Sequence, residues 1–150
     1  MRTFILALII ILYCVSCRDE VKPPPNQLDK LKGTWILTSA TDGTDRSGNF
    51  ANLKLTITGT FKEDGIYKYN FTGTRPDPSP WPVSGTWKFG QNITNTIIRD
   101  PGSSDELEMM YDIQNNTLTV AFALADDAGW PGGTSRMKDI NDWQFTFVAQ

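Results

Sequence analysis

The sequence predicts an all-β protein whose eight antiparallel strands run up and down and close into a barrel. Three observations carry this expectation. From residue 34 onward apolar residues recur mostly at every second position, the period of a strand with one dry and one wet face. The segments between these runs are mostly short and hold Gly, Asn and Asp, so neighbouring runs pair antiparallel. No long amphipathic helix exists to cover the dry face. A sheet closed on itself covers that face and removes its edges. A two-sheet sandwich is the alternative that meets the same need.

Each run has its own warrant. After a helical turn at Gln27–Lys32, the first strand reads Thr34-Trp35-Ile36-Leu37-Thr38-Ser39-Ala40-Thr41 and stops at the turn pair Asp42-Gly43. The second, Leu53 to Thr58, puts Leu53, Leu55 and Ile57 on one face, and Glu63-Asp64-Gly65 turns the chain. The third alternates Tyr67, Tyr69 and Phe71 with Lys68, Asn70 and Thr72. The fourth sets Val83, Gly85, Trp87 and Phe89 against Ser84, Thr86 and Lys88. A weaker fifth run is Asn95–Arg99. The sixth alternates Leu107, Met109, Tyr111 and Ile113 with Glu108, Met110 and Asp112. Asn115-Asn116 is a hairpin turn, because asparagine tolerates positive φ. The seventh carries Leu118, Val120, Phe122 and Leu124 on one face, and the eighth Trp143, Phe145 and Phe147.

The first sixteen residues read as an export signal. Arg2 precedes an apolar run, Thr3 to Val15, of 13 residues. That is short of the ~20 a spanning helix needs. Val15-Ser16-Cys17 resembles the end of the bacterial lipobox, although Cys14 stands where leucine is usual. The resemblance implies cleavage before Cys17 and acylation of that cysteine. The organisation expected is therefore a signal at 1–16, a lipidated cysteine and Pro-rich tether at 17–32, and a barrel at 33–150. Pro23-Pro24-Pro25 makes part of the tether a stiff extended spacer. Arg18-Asp19-Glu20 resembles the export signal of surface lipoproteins in Bacteroidetes. Localisation at the outer membrane follows, with the surface and periplasmic faces both open.

Composition excludes several functions. The chain has 150 residues, no histidine and two cysteines, of which Cys14 leaves with the signal. That removes imidazole chemistry and zinc sites built on His or several thiolates. The mature 134 residues hold 13 basic and 17 acidic side chains, a net charge of −4 that argues against nucleic acid. No nucleophile elbow, phosphate loop, dinucleotide fingerprint or calcium loop is present, so the chain is read as non-enzymatic, with no cofactor and no metal.

Three segments resemble lipocalin-like proteins. Leu31-Lys32-Gly33-Thr34-Trp35 resembles the Gly-x-Trp opening of lipocalins. Trp81-Pro82-Val83-Ser84-Gly85-Thr86-Trp87-Lys88-Phe89, followed by Ile97-Ile98-Arg99-Asp100-Pro101-Gly102, and the closing Trp143-Gln144-Phe145-Thr146-Phe147 resemble the Bacteroidetes-type lipocalin-like lipoproteins. The resemblance spans roughly residues 28–149. It implies an eight-stranded barrel with Gly33 and Trp35 closing one end. The Thr-Asp-Tyr motif of true lipocalins is missing, as is an arginine after the last strand to stack on Trp35. Arg99 is a candidate substitute.

The inward face would be aromatic, including Phe61 and Phe89 as well as Trp35 and the rings of the last strand. Tyr67, Tyr69, Phe71, Trp87, Tyr111 and Phe122 are the candidate lining of a cavity for a small apolar or amphipathic ligand. The competing reading is that the rings simply fill a barrel only just wide enough for side chains. Two connections, 74–82 and 125–141, carry Trp81 and Trp130 next to prolines, and Asp126-Asp127 lie in the second. These four residues are candidate contacts for a ligand or partner; alternatively the tryptophans fold back as lids. In a meander both connections fall at one end, with 42–52 and 100–106. The function expected is a membrane-anchored binding module. An accessory subunit of a surface assembly handling protein or glycan is the alternative, with Trp81 and Trp130 touching partners. Metabolic labelling with a fatty-acid analogue should mark the wild type and leave Cys17→Ser unmarked; label retained by that variant would refute the anchor.

Overall fold

The computed structural model describes residues 25–60, 65–124 and 143–150. A helix α1 (Pro25–Leu31) leads into strands β1 (Gly33–Thr41), β2 (Lys54–Thr58), β3 (Tyr67–Thr72) and β4 (Ser84–Phe89). Strands β5 (Thr96–Arg99), β6 (Leu107–Gln114), β7 (Thr117–Phe122) and β8 (Trp143–Ala149) complete the chain. Each strand pairs with the next, and β8 returns to β1, so the sheet is a closed antiparallel barrel with strand order identical to chain order. The expected fold class is the observed one, and the sandwich is excluded.

Alternation does what the sequence predicts along most of the wall. In β3 and in β7 alternate residues are buried, from Tyr67, Tyr69 and Phe71 to Leu118, Val120 and Phe122. The turn at Asn115-Asn116 has φ of 48° and 64°, the paired left-handed conformation that matches strand twist in a two-residue hairpin. Val83 departs from its expected inward position. It lies before β4 begins and is 53% exposed.

β1 breaks the alternation. Trp35 is buried, and so is Ala40, an odd number of residues later. The register against β8 shifts between Leu37 and Ser39, so Thr38 is an extra residue in a β-bulge. The bulge moves the inward face from odd to even positions. Thr38 Oγ1 donates to the Thr146 carbonyl at 3.0 Å.

The two ends of the barrel differ. The base gathers the short turns and the start of β1, and α1 lies there. Leu28 and Leu31, three residues apart on one helix face, are 3% and 1% exposed. Trp35 is also buried, and its Nε1 donates to the Leu31 carbonyl at 2.8 Å, tying helix to barrel. Gly33 makes the corner between them at φ 145°, a conformation side chains rarely adopt. Gln27 Nε2 donates to the Tyr111 hydroxyl at 2.6 Å, and that hydroxyl donates to the Ile93 carbonyl. Residues 25–31 thus pack as a plug on the barrel.

Arg99 cannot substitute for the arginine expected on Trp35. It ends β5 at the opposite end of the barrel from Trp35, which stands near the start of β1. Truncation of the buried indole should be costly: Trp35→Ala is expected to lose ~3–5 kcal/mol of unfolding free energy. Urea denaturation measures this, and a variant as stable as wild type would refute the closure of the base by Trp35.

Candidate functional site

The other end, the rim, carries the longer connections. The β1–β2 connection contains a 3₁₀ helix, Ser47–Phe50, that turns the Phe50 ring inward. Phe50 is 3% exposed and meets Trp143 and Phe145 edge-on, with ring centroids 6.3 and 5.3 Å apart. The sequence reading did not single out Phe50, although it is the one aromatic residue in the polar stretch 42–52.

Trp81 is not an exposed contact residue. It is 4% exposed and sits inside the barrel mouth, with edge-on contacts to Tyr69, Phe71, Phe122 and Phe145 at centroid distances of 5.0–5.9 Å. The physical reason is the size of the indole: four rings from three strands, β3, β7 and β8, surround it, and burying such a group outweighs holding it in water. Of the two sequence readings, folding back into the barrel is the one observed. Trp130, Asp126 and Asp127 lie outside the described residues, as do Phe61 and the acidic residues Asp139 and Asp142.

The six candidate cavity residues all point inward. Tyr67, Tyr69, Phe71, Trp87, Tyr111 and Phe122 are each 2–4% exposed. Tyr69 and Trp87 wall a void that runs from Leu31 of α1 to Trp81 and Arg99. Its volume is about 20 Å³, room for roughly one water. A site for a drug-sized ligand is ~300–1,000 Å³. Among the described residues the six side chains pack the interior around this small void. Tyr111 belongs to the base, where it holds α1.

The rim also holds a buried polar cluster. The Tyr69 hydroxyl donates to Asp100 Oδ2 at 3.2 Å, and the Thr86 N–H donates to Asp100 Oδ1 at 2.9 Å. Arg99 Nε lies 3.4 Å from Asp100 Oδ2 as an ion pair. Arg99 Nη1 and Nη2 donate to the carbonyls of Pro80 and Asp105 at 3.3 and 3.2 Å. Arg75 Nη2 donates to the Trp81 carbonyl at 2.7 Å, and its guanidinium lies 5.7 Å from the Phe71 ring centre. Gly85 makes room for this cluster: a Cβ there would collide with Asp100 Oδ1 and the Tyr69 hydroxyl. Asp100 takes φ 47°, which aspartate tolerates better than most residues.

Electrostatics follow burial. Desolvation pushes the Tyr69 hydroxyl up, reinforced by the charge of Asp100 and opposed by Arg99. Desolvation also disfavours the charge on Arg99, which Tyr69, Asp100 and Asp105 partly restore. Arg75 is shifted down by burial in the same way. The sequence reading passed over Arg75, Asp100 and the positioning role of Arg99. Their signal was faint, an arginine inside an alternating run and a carboxylate directly after it.

An up-and-down barrel of eight strands with a plugged base and a loop-bearing mouth is the architecture of small binding proteins. A family model described as the lipocalin-like domain matches residues 31–120. The chain belongs to that family, whose members are generally binding proteins rather than enzymes. The match runs from the last residue of α1 into β7, so it takes in Trp35, Trp81, Arg99 and Asp100. Neither the curated proteins nor the solved structures that were compared contain a match.

The raised Tyr69 and Tyr111 hydroxyls set an alkaline limit on stability. Above about pH 10 the unfolded chain gives up phenolic protons that the folded protein keeps, so stability falls as pH rises further. Denaturation midpoints measured on either side of that pH should decline, and the decline should be shallower in Tyr69→Phe. An equal slope in the variant would show that Tyr69 ionises freely in the fold.

Proposed function

We propose that the protein is a non-enzymatic binding barrel, held on the outer membrane through a lipid on Cys17, that takes a small apolar or amphipathic molecule at its rim. One observation carries the choice of end. The apolar void is walled at the rim by Trp81, a residue of a connection, whereas its other walls are strand and helix residues. A mouth closed by a connection can open without breaking the ladder of the sheet.

The chain path supports the orientation. Seven residues separate Cys17 from Pro25, and fully extended they reach at most ~25 Å. α1 sits at the base, so a lipid on Cys17 holds the base toward the membrane and leaves the rim facing away. Ligand then arrives from the aqueous side.

The small void favours a second reading, an accessory subunit that contacts a partner protein through the rim. With Trp81 buried, that contact would fall to other residues of the connections at this end. Native mass spectrometry of the protein extracted in mild detergent separates the two. The binding reading expects a small-molecule adduct that is lost on denaturation. A stoichiometric protein partner with no adduct would replace it with the second.

A further inference from the structure

We propose that the connection 73–83 is a displaceable plug: a small acid with an apolar ring takes the place of the Trp81 indole, and its carboxylate takes Arg75 and Arg99 from the carbonyls of Trp81 and Pro80. The inference rests on the reading of the barrel as a small-molecule binder and names both the ligand class and the gate.

The way the strap is fastened points to displacement. Its ends are tied by backbone bonds, Thr74 N–H to the Ala51 carbonyl at 3.0 Å and Phe71 N–H to the Val83 carbonyl at 2.7 Å. Between those ends stand Pro76, Pro78, Pro80 and Pro82, none with an N–H to donate to a neighbouring strand. At Trp81 itself the strap is held to the barrel by its indole and by the Arg99 guanidinium on the Pro80 carbonyl, while Arg75, itself a strap residue, donates to the next carbonyl, that of Trp81, and rests over the Phe71 ring of β3. Both acceptors are neutral. A carboxylate is the better partner for a guanidinium, because a charged acceptor roughly doubles the strength of such a bond and can take two parallel donors.

The space behind the strap fits an apolar ring. Withdrawing the indole joins its volume to the existing void and uncovers the faces and edges of Tyr69, Phe71, Phe122 and Phe145. Trp87, on the wall of the same void, holds a buried indole N–H without an acceptor among the described residues. A donor left so in the closed state gains a partner if the ligand carries a second polar atom. The acidic groups nearby do not block the site. Asp100 is occupied by Tyr69, the Thr86 N–H and Arg99, and Asp77 lies exposed on the strap, which moves with it. Asp105 meets Arg99 through its carbonyl. Burial disfavours the charged form of both arginines, and an incoming anion favours it.

The test uses the full-length protein in detergent, labelled with fluorotryptophan and followed by fluorine NMR, with the Trp81 signal assigned from its loss in Trp81→Phe. Naphthalene-2-carboxylate is titrated beside its uncharged carboxamide, each corrected for uptake by protein-free micelles. The carboxylate should move the Trp81 signal to a solvent-exposed position and bind at least about tenfold more tightly than the carboxamide, the scale expected of one charge-assisted pair. Trp81→Ala should bind the carboxylate more tightly than wild type, because no plug has to leave. Arg75→Gln should lose the preference for the acid. Binding to the wild type with an unmoved Trp81 signal would overturn the plug and leave the barrel a binder. Equal binding of the carboxamide would overturn the acid. Absence of binding in both wild type and Trp81→Ala would overturn the binding reading itself. Should the alanine variant not fold, the wild-type titration alone decides, with Trp81→Leu as the enlarged pocket.

Discussion

Filling the lumen of a closed barrel is the constraint on which the rest of the structure depends. Eight strands fix a bore that side chains must occupy, because an empty apolar bore forfeits the dispersion contacts of its whole lining. The strands fill the middle with their own inward rings. They cannot fill the ends, where the strands stop and no further alternate position exists. At the base the chain supplies α1 and Trp35; at the rim it supplies Phe50 and Trp81. These end groups come from outside the strands or from their first residues, and they convert an open tube into a closed core.

The buried contacts of the rim are charged, and those that fasten α1 at the base are neutral. At the base, Trp35 to Leu31 and Gln27 to Tyr111 are neutral hydrogen bonds beside buried leucines. At the rim, Arg99 and Asp100 are an ion pair kept out of water, a costly arrangement unless the remaining donors and acceptors are satisfied. Here Tyr69 and Thr86 donate to Asp100, and Arg99 donates through Nη1 and Nη2 to Pro80 and Asp105, while the buried Arg99 Nε meets Asp100 in the ion pair without a hydrogen bond. The cluster ties β3, β4 and β5 to two separate connections, so the position of the Trp81 strap is coupled to the registry of the strands beneath it. Gly85 is the small residue that permits the approach.

The ends also differ in where the chain runs. α1 lies at the base, while the longer connections collect at the rim. The plugged base and the loop-bearing rim are then at opposite poles of the barrel. In the same topology the connections lie outside the closed ladder between β8 and β1, which holds the wall together.

Period-two alternation and turn chemistry by themselves determined the class of fold, the number of strands, their order and most of the inward residues. Those are local properties: a strand with one dry face must alternate, and an Asn-Asn hairpin must turn, whatever else the chain does. Tertiary structure alone decided the rest. The bulge at Thr38 reverses the face of β1 because pairing with β8, distant in sequence, leaves one residue over. Trp81 read from its prolines either as an exposed contact or as a lid folded back on the barrel, and four rings from β3, β7 and β8 place it inside. Arg99 was set beside Trp35 by resemblance and lies at the other pole, next to carbonyls that only the closed barrel brings within reach. Each of these depends on residues that meet only when the sheet closes, and no window of sequence contains that closure.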